Sequence, residues 1–125
     1  MNETDVDARF MKTATDSMWI TREFETMPAL ALNNKLAEEF GEFAEALLVE
    51  QGYLQHKRDR IEGSFGEAAD VIIVLLGILA KHHCTMRPEE IKAQLADALE
   101  RKNQKYIDVL GIVDMEYIEQ RNNNV

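Results

Sequence analysis

Apolar residues recur every three to four positions along almost the whole chain, which is the period of an α-helix burying one face. Val6, Phe10, Ala14, Ser17 and Met18 carry this spacing through a first helix over about 4–25, with Thr4 or Asp5 as its cap. Pro28 interrupts it, and a second helix follows over about 29–54, ending near Gly52. At ~100° per residue, Leu36, Phe40, Phe43 and Leu47 form a narrow apolar stripe on this helix. Glu39 falls on the flank of the stripe with Lys35 and Glu42 just beyond, while Glu38 and Glu45 turn to the solvated side. A polar loop holding Lys57, Arg58 and Arg60 leads to a third helix over about 64–84. Its stretch Val71 to Ala80 is apolar all round, the pattern of a helix covered on most sides. Pro88, with Glu89 and Glu90 complementing the helix dipole, opens a fourth helix that runs to about 108. Gly111 breaks the pattern before a short helix at about 113–121. No segment alternates with the period of a strand.

The fold class expected from this pattern is all-α, four-helix bundle-like, with short connections. A single domain spans 1–110, and a short C-terminal helix and tail occupy 111–125. One subunit does not easily wrap a helix as uniformly apolar as Val71–Ala80. A homo-oligomer is therefore expected, and two-fold dimers are the commonest kind.

Two carboxylate pairs sit at helical spacing: Glu39 with Glu42, and Glu67 with Asp70. Residues three apart share a helix face, so each pair projects its oxygens one way. Two such helices packed together bring four carboxylates into a small volume, where full ionisation needs a cation. Mg2+ takes oxygen ligands of this kind and keeps positions open for water and phosphate. Asp70 opens directly into the apolar run, where an ionised carboxylate is costly unless paired or metal-bound. Glu67 has a second reading, since Ser64-Phe65-Gly66-Glu67 fits a capping box at the start of a helix.

The sequence E-E-x-x-E at Glu38-Glu39-Phe40-Gly41-Glu42, followed by E-x-x-D at Glu67 to Asp70, resembles the MazG-like branch of the all-α NTP pyrophosphatases. The resemblance covers about residues 30–107 and extends to Lys35-Leu36-Ala37 before the first motif and Val71-Ile72 after the second. Asn103-Gln104-Lys105-Tyr106 is similar to the family's N-x-K-[FY] segment, which faces substrate phosphates. In place of the arginine-rich stretch that often follows, this chain has Ile107-Asp108-Val109-Leu110. The resemblance implies a MazG-type fold, a dimer or dimer of dimers, and Mg2+-dependent hydrolysis of an NTP or dNTP to the monophosphate and pyrophosphate. Glu39, Glu42, Glu67 and Asp70 would be the metal ligands, with Mn2+ as a substitute ion. Glu38 would be the catalytic residue that orients or deprotonates water, or would act as a further ligand. Lys35, Asn103 and Lys105 would hold phosphate oxygens, with a plain surface role as the other reading of each, and Trp19 is read as a core or interface residue or as one that stacks on the base.

Charge and length narrow the field further. The 125 residues carry 23 acidic and 14 basic side chains, a net charge of -9. That balance opposes nucleic-acid binding, which depends on clustered Lys and Arg, and it obliges a small polyphosphate to arrive with bridging metal. The apolar run of ten residues is half of the ~20 that a membrane-spanning helix needs. Met1 to Asp5 is acidic where a secretory leader would be basic. The lone Cys84 allows no internal disulfide and reads as a small buried residue in a protein of the reducing cytoplasm. His82 and His83 sit at the end of the third helix, where they cap it or meet solvent. The alternatives are a phosphoribosyl-ATP pyrophosphohydrolase with a similar carboxylate site, a di-iron bundle, which the missing E-x-x-H motif disfavours, and a non-catalytic helical interaction module.

Overall fold

The computed structural model describes residues 5–59, 62–111 and 115–124. Among the described residues the chain is helical without strands: α1 (Val6–Phe24), α2 (Ala29–Glu50), α3 (Ser64–His82), α4 (Pro88–Leu110) and α5 (Met115–Asn123), with a 3-10 turn at Gln55–Lys57. Asp5 caps α1 by accepting the Ala8 amide at 3.0 Å; Thr4 and Arg60 lie outside the described residues. Two compact units divide within α4, Met1–Ile91 and Lys92–Val125. α4 ends at Leu110, and Gly111 after it takes a φ of +69°.

In the first unit α3 packs against both α1 and α2, and Met18, Leu32, Ala46, Leu76, Ala80 and Ile91 are buried. α1 approaches α3 closely at Gly77. A Cβ there would stand 2.7 Å from Thr21 Cγ2 and 2.8 Å from its Oγ1. Two cations then close the far end. Arg22 on α1 donates from Nε and Nη2 to the Ala80 carbonyl at 3.0 and 2.7 Å, and from Nη2 to that of His83 at 3.1 Å. Lys81 on α3 donates in return to the Glu25 and Met27 carbonyls just past α1. Arg22 thus caps this end of α3, while His82 and His83 meet solvent, one of the two roles expected of them.

The buried side of α2 runs through Leu32, Glu39 and Ala46, with half-buried Leu36 and Phe43 between them. Steps of four and three residues along this line are those of a helix seam laid on a partner. The apolar stripe read from sequence is therefore rotated from the true one. Phe40 is 53% exposed, whereas Glu39 is 6% exposed and occupies a central seam position instead of the flank.

The side of α3 bearing Ile72, Ile73 and Leu75 is open in the single chain, as expected of a helix that one subunit does not easily wrap, because α1 and α2 occupy only part of its circumference. One further expectation changes. Cys84 is exposed, since it follows the end of α3 at His82 and lies beyond the packed length of the helix.

The second unit contains the rest of α4 and α5. Asn103 and Lys105 lie on exposed positions of α4, and Asn103 lines a shallow hollow of about 480 Å3 with Leu99 and Tyr106.

Candidate metal centre

The amino end of α3 is organised from α2. Glu50, in the last turn of α2, reaches across to accept the Ser64 amide through Oε1 at 2.7 Å. These contacts with Ser64 hold the Glu50 carboxyl below its usual range. The capping box does not form: Gly63 takes the cap position and Ser64 is already helical. With an amide at the helix start served by Glu50, the Glu67 side chain turns inward, where it is 5% exposed.

There Glu67 meets Glu39 and Asp70. One carboxylate oxygen from each of the three lies within 4.8 Å of the other two. Glu39 and Glu67 are buried and Asp70 is half-buried. The Oε2 atoms of Glu39 and Glu67 are both enclosed and accept no hydrogen bond. Buried polar atoms are nearly always paired, and an unpaired charged one is especially costly. Both atoms belong to members of this acidic trio. Three oxygen donors at this spacing could hold a metal ion.

Glu42 stands beside the trio, half-buried. Its pKa is raised, first by the charge of Glu39, then by desolvation, the charge of Glu67, a hydrogen bond with Glu39 and the charge of Glu38. The upward shift reflects the same crowding of negative charge. Lys35 supplies positive charge from one turn earlier on α2: its Nζ is 3.3 Å from Glu39 Oε1, and its own pKa is raised chiefly by the hydrogen bond to Glu39 and that residue's charge. Glu38 is exposed at the rim.

The structure brings together Glu39, Glu67 and Asp70, with Glu42 and Lys35 adjoining. Trp19 is placed elsewhere. It is 40% exposed and has the Arg22 guanidinium carbon 5.5 Å from its ring centre. Arg22 in turn holds Ala80, ten residues and about 15 Å along α3 from Asp70 at 1.5 Å per residue. Of the loop cations, Lys57 is engaged with Glu45 at 2.7 Å, so Glu45 is not simply solvated. Arg58 lines a hollow of about 540 Å3 with Glu50 and Gln55. Sequence reasoning missed the Lys35–Glu39 pair, although the spacing of four residues was the available signal. It also missed Glu50, for which no local signal exists. Comparison with protein-family models, curated proteins and solved structures finds no match for this chain.

Proposed function

We propose that the chain is a Mg2+-dependent nucleoside triphosphate pyrophosphohydrolase of the MazG-like kind, with Mn2+ as an alternative ion. The observation that supports this reading is the acidic trio of Glu39, Glu67 and Asp70, in which one buried oxygen on Glu39 and one on Glu67 have no hydrogen-bond partner. Glu39, Glu67 and Asp70 would hold the ion, with Glu42 as a further carboxylate ligand beside them. Mg2+, when bound, supplies the positive charge that phosphoanhydride cleavage needs at the phosphoryl oxygens.

The chain's own residues perform the rest. Glu38, exposed at the rim, accepts a proton as the oxygen of water bonds to phosphorus. The anhydride bond between the α- and β-phosphoryl groups breaks, and its electron pair leaves with pyrophosphate. Lys35 steadies phosphate oxygens beside the carboxylates. The roles of Asn103, Lys105 and Trp19 rest on the family resemblance alone. Exposed Cys84 fits a reducing cytoplasm, and among the described residues no helix is long and apolar enough to cross a membrane.

A second copy of the chain is the proposed cover for the apolar side of the first unit. Val6 and Phe10 of α1, 65% and 59% exposed, flank with Ile72 and Ile73 of α3 an apolar groove of about 300 Å3. Surfaces of this kind mark interfaces, which supports the dimer or dimer of dimers.

The test is a panel of canonical and modified NTPs and dNTPs with Mg2+. Pyrophosphate and the monophosphate are the expected products, whereas orthophosphate and the diphosphate would assign a different reaction.

A further inference from the structure

We infer that Lys35 is a tethered counter-ion that competes with the divalent ion for Glu39 and is displaced when the ion binds. The inference rests on the metal reading above and adds a means of regulating that site. Glu39 is 7% exposed at its side chain and Lys35 46%, so an ammonium on a flexible stem reaches inward to a buried carboxylate. It contacts Oε1, while Oε2 remains unpartnered. The lysine therefore neutralises only part of the cluster.

A divalent ion on Glu39 would stand close to this ammonium, and the two positive charges repel. The carboxylate cannot give its full charge to both. Lys35 is the member able to move, because its head lies near solvent and its four methylenes rotate freely. Once released, it stays tethered one turn from Glu39 on the rim, where the phosphates of a substrate would lie. Substrate that captures the ammonium would favour the displaced position and so strengthen ion binding, and reciprocity requires the ion to strengthen substrate binding equally. Lys35 is thus a positioning residue that links occupancy by the ion to occupancy by a polyphosphate.

Calorimetric titration of the full chain with MnCl2 alone tests this without turnover. Removal of a competitor makes Lys35→Met bind Mn2+ about tenfold more tightly than wild type, within the range usual for coupled sites. Lys57→Met, which removes the same charge from the Glu45 pair, should match wild type. Lys35→Gln serves as a second variant should Lys35→Met fold poorly. An affinity unchanged or weakened in the Lys35 variants would overturn the inference, since a lysine that merely orients Glu39 would lower affinity when lost. Equal tightening in Lys57→Met would overturn it too, by showing an effect of net charge alone. Absence of Mn2+ binding in wild type would instead remove the metal reading on which the inference stands. As a direct check, the Lys35 ammonium resonance, assigned by its loss in Lys35→Met, should shift when Mg2+ is added; constancy at saturating Mg2+ would contradict displacement.

Discussion

Arg22 and Lys81 cap each other's helices. Arg22 projects from α1 onto the Ala80 and His83 carbonyls at the end of α3, and Lys81 projects from α3 onto the Glu25 and Met27 carbonyls beyond α1. Terminal carbonyls have no partner inside their own helix and carry the negative end of its dipole, so cations are the fitting donors. Each charged donor is worth about 1.5–3 kcal/mol. Arg22→Met and Lys81→Met should each lower the midpoint of denaturant unfolding, and the double variant should lose less than the sum because one junction is being opened. Full additivity would mean that the two caps act independently.

The two glycines Gly41 and Gly77 should respond oppositely to alanine. Both lie inside helices, where alanine is favoured over glycine by about 1 kcal/mol. A Cβ on Gly41 meets nothing within 4 Å, so Gly41→Ala should raise stability by about that amount. A Cβ on Gly77 collides with Thr21, and overpacking of this sort costs ~1–3 kcal/mol. Gly77→Ala should therefore destabilise, with Thr21→Ala restoring much of the loss. Thermal melts of the three variants decide the matter, and a stabilising Gly77→Ala would refute the close approach of α1 and α3.

The raised pKa of Glu42 gives a pH dependence of definite sign. A carboxyl with a higher pKa folded than unfolded stabilises the fold below its unfolded value, and that contribution is lost as pH rises through the folded value. In the presence of a chelator, stability attributable to Glu42 should decline upward from about 4.5, its unperturbed value. Glu42→Gln should flatten this decline and be more stable than wild type near neutrality. A wild-type stability profile unaltered by the substitution would show that Glu42 does not share the charge cluster.

Much of the architecture was legible in the residue pattern, and the misreadings have identifiable causes. Leu36 and Phe43 belong both to the stripe inferred from hydrophobicity and to the seam that is buried. The two differ in their remaining members, Phe40 and Leu47 against Leu32, Glu39 and Ala46. Because an acid occupies a central seam position, a search for apolar residues rotates to the neighbouring line and leaves Glu39 on the flank. A functional charge in a packed position conceals its own burial in this way. On α3 the uniform run of apolar residues carries no phase at all, and the orientation is instead fixed by contacts such as Gly77 on Thr21. The Ser64 to Glu67 spacing fits two incompatible roles, and the choice depends on Glu50, fourteen residues earlier and on another helix.

The division of labour among the acids can be read in turnover. Glu39→Gln, Glu67→Gln and Asp70→Asn remove an anionic ligand and should each cost more than the roughly 10–100-fold typical of outer partners of a metal site. Glu45→Gln only opens a half-exposed pair with Lys57, worth at most about 1 kcal/mol of stability, and should retain near wild-type turnover. Far-ultraviolet circular dichroism should remain helical in all four. Equal losses in all four would mean that the acids act through bulk charge.

The central claim is that Glu39, Glu67 and Asp70 form a divalent-cation site, and the melting temperature of wild type beside Asp70→Asn tests it most directly. An ion that binds only the folded chain stabilises it by RT ln(1 + [L]/Kd), about 2.7 kcal/mol at a hundredfold excess over Kd. Mg2+ or Mn2+ should raise the wild-type melting temperature in a saturable manner, beyond the effect of NaCl at equal ionic strength, since screening is not site-specific. Asp70→Asn should respond much less. Equal metal-induced shifts in the two proteins would contradict the account, because Asp70 would then not be a ligand.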